Sequence, residues 1–582
     1  MEKNTLVAII LCVIVISAGY FVQAIFFPVE DEVVKKQETV EAVPAAEVPV
    51  PADPAETVEV SVASDTGSYQ DVDVETDVFS AVFTTKGGSL KSIKLRQHTE
   101  KDGQPLEMIY RKTSDMNAFD LYFGNLNGQP LEGDFTCKKY NHGKDTIVEF
   151  SRDVDMLGYG NKVPVEVKKK YTFKPDEYMI ELAVEFTSKS GKAINFNTNG
   201  FAYSLGFGPQ IGPEFEKLDN KYEFRRYVTL NGDKKKKAVK LNKPGMTKEV
   251  TGRTSWSALS GKYFTVIGIT DATEYMTTFS TEAVPGQEDA SRMFFSRPAF
   301  KSSNTIDTFK FYIGPMSSSE LRRYESAETN GFGMTKMNVD KVLDSGAILG
   351  WLQAILKWML VSFHKLIPNY GVAIILLTIV VKVVLYPLTK KSFESSAKMS
   401  ALSPKLKELQ DKYKGNSQKL NAEMAALYKR EGVSPLSGCL PILLQMPIFF
   451  ALYGLLNSFF ELRGAGFLAP WITDLSKPDS IFNFAPTSFF FIGSDIRLLP
   501  ILMAVTQIFS SKLMQPASAS GGSSQQMSQM KMMTYAMPII FLFVLYDVSS
   551  GLLLYWTMTN IISIGQQLYI NHKQKTRVKA KA

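Results

Sequence analysis

The 582 residues of this chain exceed what one domain core needs, and their average is bland: 45% hydrophobic, 21% charged, net charge +7. That average hides two opposed segments, fourteen acids and two lysines in 28–77 against five Lys or Arg and no acid in 571–582, which suggests that the two face different compartments. Of the three cysteines, Cys12, Cys137 and Cys439, one lies in the soluble-looking part, which excludes an internal disulfide there.

Residues 6–27 are apolar for about the length a bilayer requires and predict an N-terminal transmembrane anchor. A cleaved signal peptide is the rival reading, but the apolar run continues past Ser17-Ala18-Gly19, and signal cores are usually shorter. Residues 28–77 read as an acidic Pro/Ala-rich linker that cannot build a core. From 78 the period becomes two. Tyr178, Ile180, Leu182, Val184 and Phe186 alternate with more polar positions, and Lys174–Glu177 is a turn signal after a strand at 165–173, so a hairpin is predicted. With similar runs at 262–269 and 305–313, residues 78–315 read as one antiparallel, all-β sandwich-like domain.

A helical period follows at 347–367, where Trp351, Leu352, Ile355, Leu356, Met359, Phe363 and Leu366 form a stripe. Lying just before a spanning segment, this reads as an interfacial amphipathic helix, with packing on the soluble domain as the alternative. Five further spans are predicted at 369–388, 435–459, 497–514, 534–547 and 551–570, with Pro435, Pro441 and Pro447 interrupting the second of these. Between them, 389–434 reads as a helical hairpin broken at Gly415, and 515–533 as a loop. Loop 389–434 holds ten Lys or Arg and 460–485 holds two. Cytoplasmic loops carry the positive excess. Six crossings therefore place the hairpin, the loop 515–533, the basic tail 571–582 and both termini in the cytoplasm, and the β domain outside.

No phosphate-binding glycine loop, Ser/His/Asp set or metal-ligand cluster is readable, so an enzyme is not expected. The sharpest anomaly is Lys382, inside GVAIILLTIVVKVVLYPL. A lysine at a helix centre costs about 2.5–3.5 kcal/mol on insertion scales and usually faces a cavity or a partner. Snorkelling is the competing reading, because Leu388 is only roughly 9 Å further along the helix. No intramembrane acid is available to pair with it. The other spans supply Thr378, Gln445, Thr506, Gln507, Ser510, Thr557, Asn560 and Gln566, whose ordinary role is helix–helix hydrogen bonding. Together with an unpaired lysine they also fit a wet cavity inside the bundle.

The segments YPLT (386–389), SPLSGCLPILLQMPIFFALYGLL (434–456) and GLLLYWTMTNIISIGQQ (551–567) resemble the YidC-type membrane protein insertases, and the anchor, linker and β domain resemble the Gram-negative version in layout. The resemblance implies five core helices around a hydrophilic groove in the bacterial inner membrane, a periplasmic β domain and no cofactor. It implies insertion and folding of nascent inner-membrane proteins, alone or with the Sec translocon. The implied groove residues are Lys382, Thr378, Gln445, Phe449, Thr506, Gln507, Ser510, Tyr555, Trp556, Thr557 and Asn560. Lys382 stands where relatives usually carry arginine, and Trp556 where tyrosine is frequent. The tail and hairpin suit ribosomal RNA or anionic lipid as partners. The linker couples the outer domain loosely, so that domain is expected to be largely dispensable for insertion. A secondary transporter or channel for an anionic solute is the alternative. A carbohydrate-binding outer domain is a third class, for which His98 and His142 form no readable site.

Overall fold

The computed structural model describes Glu59–Ser61 and most of 67–579; the longer segments outside it are 1–58, 282–289, 344–348, 433–439, 485–493 and 515–531. The expected anchor, most of the acidic linker, nearly all of the loop 515–533 and Pro435 therefore lie outside the described residues.

The first half is β structure in three sheets. Seven antiparallel strands form the middle of the ten-stranded one, in the spatial order Asp145–Gly158, Asn161–Phe173, Met179–Ser188, Asn304–Pro315, Phe264–Ile269, Thr254–Ser260 and Arg226–Asn231. The hairpin at 165–186 is present, and Leu182 lies between Tyr171 and Phe309. Alternation explains its register. Ile180, Leu182, Val184 and Phe186 are buried while the residues between Leu182 and Ser188 on the other face are half-buried, and a one-residue slip would exchange the two faces. Met179 breaks the pattern, being buried with the core set. A five-stranded sheet (Thr247–Val250, Met276–Ser280, Arg292–Ser302, Ile194–Phe207, Leu121–Phe123) and a four-stranded sheet (71–107) share the core with it. The domain is thus more than a two-sheet sandwich. Its packed region also passes 315, because Leu321, Tyr324, Val339 and Val342 are buried against the same core. Glu177 fastens this connector by accepting from the Tyr324 hydroxyl at 2.8 Å and the Gly331 amide at 2.7 Å. Short helical turns carry these residues, and no period marks them in the sequence.

The second half is helical. Helix α1 spans Gly350–Leu366 and α2 Tyr370–Ala401. Ser403–Lys412 forms α3, Ser417–Arg430 forms α4 and Leu440–Ser458 forms α5. Leu498–Met514 forms α6, Met537–Val544 forms α7 and Ser550–Lys579 forms α8. Among the described residues one helix is long and apolar enough alone to cross a bilayer, over Tyr370–Pro387; Leu498–Leu513 and Thr534–Val544 are shorter apolar helices.

Several boundaries differ from the periodicity. Helix α2 runs thirteen residues past 388, straight through Pro387. Its polar end continues the backbone hydrogen bonding after the apolar run stops, which hydropathy does not detect. Helix α5 begins beside Pro441, where a missing N–H costs nothing, and continues past Pro447. Helix α8 extends far beyond 570, so most of the basic tail is helical. The stripe on α1 divides. Its Leu356 packs into the bundle, as does Leu360 outside the stripe, while Trp351, Ile355 and Leu366 are exposed, together with Trp358, which the stripe did not include. Helices α3 and α4 meet at Gly415, whose φ of +92° suits glycine, and Lys405 clasps Glu431 across them at 2.9 Å. Asp479 caps α6, accepting from the amides of Leu498 (2.8 Å) and Leu499 (3.0 Å) and from Trp471 Nε1 (2.7 Å).

Candidate functional site

Lys382 sits on α2 in mid-bundle, only 6% exposed. Its ammonium donates to Ser563 Oγ on α8 at 2.8 Å and to Gln445 Oε1 on α5 at 3.3 Å. Three helices separated widely in sequence thus meet at one cation, and both partners are neutral. The Tyr555 hydroxyl, also buried, lies beside Gln445 and Thr559. Among the described residues Lys382 makes no ion pair.

A second polar cluster lies between α8 and α6. Trp556 Nε1 donates to Gln507 Oε1 at 3.3 Å, and its ring packs edge-on against Phe449 of α5, with centroids 4.8 Å apart. Asn560 Nδ2 donates to Thr506 Oγ1 at 3.3 Å and to the Met503 carbonyl at 3.4 Å. Trp556, Asn560, Ser563 and Gln567 recur at spacings of four, three and four and so share one face of α8. That face joins the two clusters.

Three expected site residues join neither cluster. The Thr378 hydroxyl donates to the carbonyl of Ile374, one turn back on its own helix, at 2.7 Å. This is the usual way a helical threonine satisfies itself in an apolar segment. Ser510 is buried further along α6. Thr557 lies off the shared face of α8, and its Oγ1 has no hydrogen-bond partner among the described residues. Gln567, not Gln566, is the buried member of that pair, and its Oε1 is likewise without a partner among the described residues. Ser563 is the residue that sequence reasoning missed. Its i+3 relation to Asn560 was the available signal. Among the described residues no group of three or more His, Cys, Asp or Glu is arranged to hold a metal ion.

A family model described as "60Kd inner membrane protein" matches residues 362–577, and one described as "YidC periplasmic domain" matches 71–361. The membrane protein insertase YidC of Treponema denticola is 38% identical over 589 residues, covering 99% of this chain and 100% of that relative. The chain belongs to the YidC family of membrane protein insertases. The YidC insertase of Treponema pallidum is 35% identical over 630 residues, with 99% and 100% covered. A crystal structure of an active YidC insertase with its first transmembrane domain resolved is 17% identical, with a TM-score of 0.33, covering 88% of this chain and 94% of that one. The YidC match divides the molecule as the fold does, into a periplasmic β-rich domain and an inner-membrane helical region.

Proposed function

We propose that this insertase works through a polar groove between α2, α5, α6 and α8, with Lys382 as its electrostatic centre and Gln445, Ser563, Tyr555, Trp556, Gln507, Asn560 and Thr506 along its wall. Phe449 supplies apolar bulk beside Trp556. The observation that carries this reading is a buried ammonium whose partners are neutral side chains on two other helices. Such an ammonium retains net charge for a client. At an effective dielectric near 20, a client carboxylate about 4 Å away gains about 4 kcal/mol, less its own desolvation. A hydrophilic tail drawn into the groove has a shorter apolar path left to cross. The client's apolar helix then enters lipid, and its burial drives the step.

In this reading the chain crosses the inner membrane six times, with both termini, the α3–α4 hairpin and the tail in the cytoplasm. The loop charges support that topology. The exposed Trp351, Ile355 and Trp358 of α1 suit the lipid interface. Client chains are nascent inner-membrane proteins. The Sec translocon, the ribosome and anionic lipid are further partners in this proposal, the last two supported by the basic tail. No observation favours a solute transporter.

The test is insertion of paired clients, one with an acidic tail and one with a neutral tail, by purified protein in liposomes. Lys382→Ala is expected to slow the acidic-tail client by about tenfold and Lys382→Glu by about a hundredfold, with the neutral-tail client changed far less. A cytoplasmic, membrane-impermeant thiol reagent is expected to label a Lys382→Cys variant that lacks the native cysteines. Equal insertion of both clients by wild type and Lys382→Ala would remove the charge from the mechanism, and an unreactive thiol would refute a wet groove.

A further inference from the structure

Phe459 and Phe460 are neighbours in sequence but belong to different cores. The Phe459 ring stays in the bundle, edge-on to Tyr370 with centroids 5.8 Å apart. Phe460 enters the β-domain core, 5.1 Å from the Phe264 ring, 5.5 Å from Tyr263 and 6.4 Å from His98. Glu461 follows, 3.7 Å from His98 Nδ1. Arg463 then reaches Glu223 at 3.2 Å and Glu100 at 3.5 Å, and it donates to the Glu214 carbonyl. The side chains of Arg463 and Glu223 are only 13% and 11% exposed. A guanidinium forked between two carboxylates and a carbonyl in so dry a place is more than an exposed ion pair. The β domain is therefore gripped directly by the loop leaving α5, contrary to the expectation that a linker couples it loosely.

We propose that the periplasmic domain is a positioning element for insertion: the Phe460–Arg463 hook holds the near end of α5 and thereby sets the wall that α5 gives the client groove. This rests on the groove reading above. Helix α5 is the connection. Its hooked end follows Ser458, and roughly 20 Å away along the same helix is Gln445, a partner of Lys382. Between them Phe449 holds Trp556. Gly454 faces α1, and the Gln353 side-chain amide lies over it. Helix α5 continues through Pro447, which removes one rung of its hydrogen-bond ladder, so displacement of the hook reaches Gln445 through the remaining turns.

The experiment uses the full chain in liposomes. Arg463→Ala loosens the hook from the bundle side, and Glu100→Gln with Glu223→Gln loosens it from the β-domain side. Spin labels at Asn457→Cys and Lys138→Cys report whether α5 and the β domain stay together. Photo-cross-linkers at the exposed Met446 of α5 and Ile561 of α8 report where a client helix passes. Both loosened forms are expected to broaden the label distance and to slow insertion by roughly two- to thirtyfold, the span that mutations in a coupling network produce. Client cross-links from Met446 are expected to fall while those from Ile561 persist, a difference that simple destabilisation does not produce. Arg463→Lys is expected to recover part of the loss, because it keeps the charge without the fork. A broadened distance with unchanged insertion and unchanged Met446 cross-links overturns the proposal. So does a distance that stays narrow when Arg463→Ala and Phe460→Ala are combined, since the hook then does not hold α5. Lys382→Ala in the same assay separates the two ideas. If Lys382→Ala slows insertion and the loosened hooks do not, the hook alone fails; the reverse result removes the Lys382 charge from the mechanism and keeps the hook.

Discussion

The β domain and the helical bundle each bury a lysine, and they treat it differently. Lys169 is wholly buried. Its ammonium donates to the carbonyls of Phe119 (2.6 Å) and Gly87 (3.0 Å) and to Ser89 Oγ (3.2 Å), one acceptor for each of its three protons. Two of those acceptors are backbone atoms held by a sheet and its turns. Lys382 is nearly as buried, but its two acceptors are side chains on other helices. Side chains rotate, whereas the sheet's carbonyls do not. The β domain has thus sealed its charge into the fold, while the bundle holds its charge with partners a client can replace. Burial of a cation alone does not mark a site; the exchangeability of its partners does.

Substitutions at the two lysines break or sharpen this contrast. Lys169→Met removes the ammonium from three buried acceptors, of which only the Gly87 carbonyl keeps another donor, the Ser89 hydroxyl at 3.2 Å, so β-domain stability in the full chain is expected to fall by about 3 kcal/mol. Denaturant unfolding followed through Trp256, itself buried in that domain, measures the loss. Unchanged stability would mean that the cage is not what holds the ammonium. Arginine distinguishes the sites next. Lys169→Arg is expected to lose about 1–3 kcal/mol of stability, since a larger group is forced into a closed cage. Lys382→Arg is expected to keep insertion within about twofold of wild type, because charge is what the groove requires. A tolerant Lys169 and an intolerant Lys382 would invert the comparison.

A pH series follows in size. Burial pushes the Lys169 ammonium down to about 7 from 10.5, with Asp120 opposing the shift. Between those values the unfolded chain binds a proton that the folded domain lacks, so stability rises with pH, by at most about 1.4 kcal/mol per unit. Below pH 7 both states are protonated and this contribution is flat. Above pH 10 the buried tyrosines Tyr122 and Tyr178, which burial holds protonated, reverse the slope. Subtracting the profile of Lys169→Met isolates the effect, and identical profiles would show that Lys169 does not titrate there. The smallest expected change is Ser563→Ala. Removing one neutral acceptor while Gln445 remains is expected to slow acidic-tail insertion by about threefold, on the scale of one ordinary hydrogen bond. No change in that assay would confine the positioning of Lys382 to Gln445.

The strand Asn161–Phe173 shows how much was legible. Its residues 165, 167, 169, 171 and 173 share one face, and all five are buried. Parity alone points Lys169 inward, yet the run Lys168-Lys169-Lys170 reads as a solvated edge when taken by composition. Lys382 drew attention for the opposite reason, because its neighbours are uniformly apolar and one charge stands out. Both readings rest on local sequence, and so does the hairpin at 165–186, where period, turn residues and pairing all lie within a few residues of one another.

The amino-acid sequence by itself determined the period-two strands, the helical segments and the isolated charge at Lys382, because backbone hydrogen bonding and hydropathy act over neighbouring residues. Tertiary structure decided which group meets that charge. Ser563 is 181 residues from Lys382 and Gln445 is 63, and no local rule sets how α5 and α8 rotate about their axes. The same holds for Thr378, which turns to its own carbonyl, and for Phe459 and Phe460, which part into two cores. An adjacent pair of identical residues has identical propensities, and only the packing of two separate domains around the loop makes one a bundle residue and the other a hook.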